Sequence, residues 1–397
     1  MLVQTDAPPT TAADAPAVVP DHDGAAPLLS VCIPAYNRAS QLPELLDSIA
    51  AQEFGDYEVV ICEDGSPERA QIREVAARYA DLLPGRVRYF ENGENLGYDA
   101  NFRELVRRAR GAYCFIMGND DVVAPGALGT VADVLRRTPD AGVVLRSLGY
   151  FRTRPEEFFT IARYFADELR LPPGPDAVVQ FYRRCGIMSG LVVRRRDAVA
   201  LETDRFDGTL FYQLHLIANI LMRRPGVIVP EVLAYYRVGG TPEFGTSPSE
   251  RGRHTPGGSY DPEAGARFLD GILSIARAFD AEHGTRVYPR LRADAARHAY
   301  HTFVSYEGRP LADYLRLYRG LVGLGFWRYP MFHVWGLAVG ALGAPRMQRL
   351  VHAVRRRLGY TPSFGERPRG AVVLRSPALG ERPHAAPHPS LAEHAAV

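Results

Sequence analysis

Four short apolar runs, each followed by a polar turn and then by a stretch of helical periodicity, organise the first third of the chain. Leu29-Ser30-Val31-Cys32-Ile33 is the first, ending at Pro34-Ala35-Tyr36-Asn37-Arg38, with Ser40 placed to cap a helix from about Leu42 to Ala51. Tyr57-Glu58-Val59-Val60-Ile61-Cys62 is the second, closed by Glu63-Asp64-Gly65-Ser66-Pro67 and followed by helical spacing from Glu68 to Tyr79. Arg86-Val87-Arg88-Tyr89-Phe90 is the third, after which Asn95-Leu96-Gly97-Tyr98-Asp99-Ala100-Asn101 leads into a helix to about Arg110. The fourth, Tyr113-Cys114-Phe115-Ile116-Met117, ends in Gly118-Asn119-Asp120-Asp121, with Pro125 as a breaker. Strands alternating with helices at this spacing predict an α/β fold, a doubly wound and mostly parallel sheet with these loop motifs on one edge.

Ligands of open α/β sheets bind at the carboxyl edge of the strands, which is where the acidic quartet is delivered. Adjacent carboxylates repel, and hard oxygen ligands suit Mg²⁺ or Mn²⁺. Mg²⁺ takes one or two carboxylates together with substrate phosphates, so a nucleotide ligand is implied with the metal. Taken alone, the quartet reads equally well as a solvated turn after a strand.

The order and content of the loops resemble a family 2 glycosyltransferase of the GT-A fold over roughly residues 28 to 240. Pro34-Ala35-Tyr36-Asn37-Arg38 resembles the family's opening loop against the nucleotide base, and Glu63-Asp64-Gly65-Ser66 its Asp-Asp-Gly-Ser, in which Asp64 is implied to pair with the uracil ring. Asn95-x-Gly97-x-x-x-Asn101 resembles the turn and following Asn that shape the floor of the sugar site, and Tyr235-Tyr236-Arg237 the Tyr-Arg after the last strand. Gly118-Asn119-Asp120-Asp121 stands where the family has Asp-x-Asp, but its first acid is Gly118 here. The resemblance therefore implies donor contacts from Pro34, Ala35, Tyr36, Arg38, Asp64, Gly97, Asn101, Asn119 and Asp120. It assigns the metal to Asp120 with Asp121, and a ribose hydroxyl to Asn119. The later acidic pair that usually holds the base falls near Tyr212-Gln213, where there is no carboxylate. That departure resembles, more loosely, the abequosyltransferase-like branch.

The implied reaction moves a hexosyl or related sugar from a UDP- or dTDP-type donor to a hydroxyl acceptor, with inversion, in glycan or glycosylated natural-product biosynthesis. A metal and a guanidinium, Asp120's ion and Arg237, stabilise the leaving diphosphate. A base within reach of the acceptor hydroxyl completes the chemistry, and Asp207, His215 and Asp204 are its candidates. Each has a structural alternative: His215 as a satisfied histidine on an apolar helix from Leu210 to Met222, Asp207 as a turn residue before Gly208, Arg237 as the partner of a surface acid. Two other function classes stay open. A nucleotidyltransferase needs a Gly-rich phosphate loop that Pro34–Arg38 lacks, and an inactive sugar-nucleotide-binding protein fits the missing acidic pair.

Composition narrows the setting. A net charge of +2, from 47 basic and 45 acidic residues, and no basic stripe interleaved with aromatics argue against nucleic-acid binding. No lysine occurs, so every basic residue is arginine. Cys32, Cys62, Cys114 and Cys185 sit mostly in apolar strands without metal-type spacing, which reads as buried free thiols in a reducing cytoplasm. Residues 1–26 and 361–397 read as disordered tails, the first without a signal-peptide pattern, flanking a catalytic domain (27–240), a flexible loop or lid (241–261) and a helical region (262–360). Within that region Tyr329 to Pro345 carries no acidic or arginine side chain and precedes Arg346, Arg349, Arg355, Arg356 and Arg357. The run is short for a bilayer span. It reads either as an interfacial helix of 329–357 at the inner face of the plasma membrane, anchored by residues such as Trp335 beside a lipid-linked acceptor, or as a packing helix.

Overall fold

The computed structural model describes residues 26–240, 243–255, 261, 263–306, 309–343, 346, 347, 349, 368 and 370–375. In chain order the elements are β1 (Leu29–Ala35), α1 (Leu42–Ala50), β2 (Tyr57–Glu63), α2 (Arg69–Leu82), β3 (Val87–Glu91), α3 (Tyr98–Arg108), β4 (Tyr113–Ile116), β5 (Val122–Val123), α4 (Ala127–Arg137), β6 (Val143–Phe151), β7 (Thr160–Ala162) and β8 (Glu168–Leu171). They continue with α5 (Pro175–Tyr182), β9 (Leu191–Arg194), α6 (Arg195–Ala200), α7 (Tyr212–Leu221), β10 (Gly226–Arg237), α8 (Ala264–His283), α9 (Val287–Arg297), α10 (Tyr300–Val304), α11 (Leu311–Gly323), α12 (Pro330–Leu342) and β11 (Val372–Arg375).

One twisted sheet runs β3-β2-β1-β4-β9-β6-β10-β8-β11. Strands β1 to β4 pair parallel to one another, β9 runs antiparallel to both β4 and β6, and β10 returns parallel to β6. Alternate residues of the central strands point to opposite faces. Val31, Ile33, Val59, Ile61 and Phe115 pack with α1, α2 and α4, whereas Cys32, Val60, Cys114 and Ile116 pack with α3, α5 and α7. Burial on both sides is the reason these segments read as continuous apolar runs. All four cysteines are buried and free.

The chain moves from β1 outward to β2 and β3, then returns to the other side of β1 as β4. That reversal opens a crevice beyond the carboxyl ends of β1 and β4, the position where such sheets bind ligands.

The helical region shares the core rather than standing apart. Phe268, Phe279, Phe303 and Phe332 belong to the cluster that holds α3, α5 and α7, and Tyr182 donates to the carbonyl of Ile272 at 2.6 Å. Helix α12 is 13 residues long, and no helix among the described residues is long and apolar enough to cross a membrane. It buries Phe332, Gly336 and Val339 and exposes Met331, Val334 and Leu337. Trp335, expected as a membrane anchor, instead donates its indole N–H to the carbonyl of Arg297 at 2.9 Å and leans on Tyr300.

Two other expectations change. Ser40 does not cap α1: Gln41 holds the cap position without a side-chain bond, and Pro43 in the first turn has no N–H to satisfy. Val372–Arg375, within the stretch expected to be a disordered tail, pairs antiparallel with β8. The buried carboxylate of Glu168 requires cations there, and Arg137 (2.8 Å) and Arg375 (3.4 Å) supply them. Residues 1–25, most of 361–397 and the cluster Arg355, Arg356 and Arg357 lie outside the described residues.

Candidate active site

The loops after β1, β2 and β4 converge on a cavity of about 380 Å³. Pro34, Ala35, Tyr36, Arg38, Asp64, Gly97, Asn101, Asn119 and Asp120, the whole set of expected donor contacts, line it. After β1 the backbone turns through two successive left-handed residues, Asn37 (φ 52°) and Arg38 (φ 63°), a conformation that costs energy for any residue with a Cβ. Neighbouring groups hold it. The Asn119 side-chain amide donates to the carbonyl of Asn37 at 2.9 Å, the Asn37 amide donates to Glu243 at 2.9 Å, and the Arg38 guanidinium pairs with Asp120 at 2.7 Å.

The two acids of the quartet have separate surroundings. Asp120 keeps partial exposure in the cavity wall. Asp121 is buried; one oxygen accepts the main-chain N–H of Arg237 at 2.8 Å and the other the hydroxyl of Ser189. Burial and the charge of Asp120 push the Asp121 carboxyl well above the usual range. A side chain on Gly118 would come within 2.8 Å of the Asp121 carboxylate, so an acid there would collide with this brace. Among the described residues no group of three or more His, Cys, Asp or Glu could hold a metal. The partly exposed carboxylate of Asp120 suits an ion that takes the rest of its ligands from phosphate and water. Asp121, expected beside it as a ligand, has its oxygens engaged by the protein.

Asp64 is 3% exposed and takes three protein donors: Asn92 at 2.8 Å, Leu96 N at 3.0 Å and Gly97 N at 2.9 Å. Burial raises its pKa to about 6 despite those bonds. A carboxylate has about four lone-pair sites, which leaves one for a ligand. Glu63, the preceding acid, caps the turn by accepting from Gly65 N, Ser66 N and Arg69. Asn101 accepts from Asn92 at 2.9 Å and donates to the carbonyl of Cys62, bracing the partner of Asp64.

The expected bases are elsewhere. Asp207 forms a bidentate pair with Arg103 at 2.6 and 2.9 Å, and Asp204 is exposed outside the cavity. His215, on α7, is turned toward Phe206 and the carbonyl of Leu201, 3.0 Å from its Nε2, and burial lowers its pKa. None of the three lines the cavity. Asp207 and His215 are drawn away by protein partners that sequence spacing does not reveal. Arg237 does line it, but its guanidinium donates to Glu44 and to the carbonyls of Asp120, Arg152 and Thr153.

Other contributors had no signal in the sequence. Asp99 is buried at the start of α3 and accepts the main-chain N–H groups of Leu210 and Tyr212, both at 2.8 Å. The segment from Glu243 to Thr255, expected as a lid, lies across the cavity as a packed strap. Glu250 (2% exposed) accepts from Tyr98 N at 2.8 Å and Gly245 N at 2.7 Å, and Thr246 receives the Asn95 amide at 2.9 Å. Gly97 (φ 89°) permits this approach, since a Cβ there would meet the Ser247 hydroxyl at 2.4 Å. Helix α8 contributes Phe268 to the lining.

Comparison with known proteins agrees with the geometry. Residues 30–199 match the model of glycosyl transferase family 2. This segment is a family 2 glycosyltransferase domain. The chain is 35% identical over 113 residues to abequosyltransferase RfbV of Salmonella typhimurium, which covers 28% of this chain and 34% of that protein. It is also 35% identical over 119 residues to the uncharacterized protein MT1568 of Mycobacterium tuberculosis, covering 30% and 35%. The matches thus span about a third of these relatives' length. Among solved structures, S. aureus TarS 1-349 in complex with UDP-GlcNAc superposes with a TM-score of 0.54 at 14% identity, covering 90% of this chain and 99% of that one. The glycosyltransferase fold is therefore of the GT-A type, with the helical C-terminal region included in the likeness.

Proposed function

We propose that this protein transfers a sugar from a nucleoside diphosphate to a hydroxyl acceptor. The observation that carries the reading is the convergence of the loops after β1, β2 and β4 on one cavity, with every expected donor contact in its wall. The likeness of residues 30–199 to family 2 glycosyltransferases supports it.

Roles follow from what each group has left to offer. Asp64 has one lone-pair site free for the ring N–H of uracil or thymine, and Tyr36 flanks the same end through its bond to Thr246. Asn119 commits its amide N–H to Asn37, leaving its carbonyl for a ribose hydroxyl. Asp120 would hold Mg²⁺ or Mn²⁺, and the ion when bound would supply positive charge for the leaving diphosphate. Arg38, paired with Asp120, brings a guanidinium to the same charge. Arg237 is a positioning residue: its bonds fix the main chain of Asp120 and the carboxylate of Asp121.

For the base, the carboxylates in the described lining are Asp64, Asp120, Asp121, Glu243 and Glu250. Asp64, Asp121 and Glu250 are buried and held by two or more protein donors, and Asp120 faces Arg38. Glu243 is half-exposed beside Asn37, and we assign it the acceptor proton. The acceptor's setting is proposed to be an anionic membrane surface, reached through the exposed apolar side of α12 and the arginines that follow it.

Calorimetric titration with UDP, dTDP and GDP in the presence and absence of Mn²⁺, followed by donor hydrolysis, tests the reading. Metal-enhanced binding of at least one nucleotide is expected. No binding by any of them would overturn it.

A further inference from the structure

One wall of the cavity is apolar in a way a site for fully hydroxylated sugars does not need. Met188, Leu210, Phe211, Phe244 and Phe268 line it. The polar side chains next to them bond first within the protein. The Tyr98 hydroxyl lies 3.1 Å from Gln213 Oε1, the Gln213 amide donates to the carbonyl of Gly186 at 2.9 Å, and the Ser189 hydroxyl donates to Asp121. A substrate hydroxyl turned to these five side chains would lose water and gain no comparable hydrogen bond from them, whereas a methyl or methylene would lose nothing.

The wall is also built at a cost. Leu210 adopts φ 68°, a left-handed conformation that is a strong outlier for a bulky side chain. Such strain persists where the surroundings over-determine it, and it collects at ligand sites. Here the Asp99 carboxylate receives the N–H groups on both sides of Phe211, at Leu210 and Tyr212. Phe268 is fixed by three rings, 6.3 Å from Phe211 and 5.6 Å from Phe244 in edge contact and 5.5 Å from His254 in a stack. Catalytic domain, strap and helix α8 thus each supply part of one rigid apolar face.

We propose that this face receives a deoxygenated or otherwise apolar part of the substrate, and that Leu210 sets the preference. The proposal rests on the glycosyl-transfer reading and deepens it by naming the substrate class. The apolar part has two sources, a deoxy position on the donor sugar or an apolar portion of the acceptor.

Matched ligands separate them. Displacement of a bound nucleoside diphosphate is measured with UDP-galactose against its 6-deoxy form and with dTDP-glucose against its 6-deoxy form. Methyl and phenyl glycosides of one sugar are then compared as acceptors. A preference of about tenfold to 100-fold for the less polar ligand is expected in at least one arm, up to the size a hydrophobic pocket gives for one added hydroxyl; the arm that shows it identifies the source. Leu210→Asn keeps a residue tolerant of the left-handed conformation and adds polar atoms. It should cut the preference to about twofold or less while leaving affinity for the free nucleoside diphosphate unchanged. Phe244→Ser is the second variant, with the same expectation, should the first not fold. Wild-type protein that binds nucleoside diphosphate but shows no preference in either arm would overturn the proposal, as would a preference that survives both substitutions. Failure to bind any nucleoside diphosphate would overturn the glycosyl-transfer reading, and this inference with it.

Discussion

The buried carboxylate of Asp99 accepts the main-chain N–H of Leu210 across 2.8 Å, joining the first turn of α3 to the strained turn that precedes α7. Burial raises the Asp99 pKa from 3.8 to about 7, only partly offset by its bonds from Leu210 and Tyr212. A carboxyl raised in the folded state binds its proton more tightly there than in the unfolded chain. Its contribution to stability is complete below about pH 4 and is lost as pH rises toward 7.

The melting temperature of the wild type should therefore fall between pH 5 and pH 8, and the fall should be smaller in Asp99→Asn, which does not titrate. The variant also turns one amide N–H against a main-chain donor, at a cost of about 1–3 kcal/mol. Thermal unfolding of both proteins across this window checks the sign. An unchanged slope in the variant would place the titration in other groups, such as Asp64.

Asp120→Asn should reduce sugar transfer by about 100-fold or more, the scale of removing one charge-stabilising group, while the melting temperature stays within a few degrees. Enhancement of nucleotide binding by Mn²⁺ should vanish in the same variant. Metal-enhanced binding that survives the substitution would move the ion away from Asp120.

Asp207→Ala gives the opposite pattern. Its carboxylate pairs with Arg103, and losing it leaves a half-buried guanidinium with fewer acceptors. Stability should drop by about 1–3 kcal/mol, with turnover within a few-fold of the wild type. A collapse of kcat at unchanged stability would restore Asp207 as the base.

Glu243→Gln separates binding from chemistry. Its amide can still accept from Asn37, so nucleotide affinity should hold, but proton acceptance is lost and kcat should fall by about 100-fold or more. Full turnover with this variant would remove Glu243 from the reaction.

Trp327 (54% exposed), Val334 (49%) and Leu337 (71%) are open to solvent on and just before α12, and Arg328, Arg346 and Arg349 lie close to them along the chain. The protein should bind vesicles containing phosphatidylglycerol, and binding should weaken with salt as each arginine's contribution of about 1 kcal/mol is screened. Val334→Ser with Leu337→Ser should lower that affinity about tenfold or more, since each buried apolar side chain counts for roughly 1.5–3 kcal/mol. Flotation assays in which wild-type protein stays free at low salt would leave α12 to a packing or dimer contact.

The sequence by itself determined the parallel strands β1 to β4 and the carboxyl-edge loops. Strand and helix periodicities are local, and motifs such as Glu63-Asp64-Gly65-Ser66 and Gly118-Asn119-Asp120-Asp121 are contiguous, so each is legible in one short window. The cavity set from Pro34 to Asp120 followed from those loops, because strand order fixes which edge they share. Roles that depend on partners distant along the chain did not follow. The sequence places Asp207 and His215 near the missing acidic pair, but tertiary packing gives Asp207 to Arg103 and turns His215 toward Leu201. It likewise gives no reason to connect Asp99 to Leu210, Glu250 to Tyr98, or Phe268 to Phe211. These pairs meet only once α3, α7, α8 and the strap have packed on one face of the sheet. Burial then decides which carboxylates are left to face a substrate.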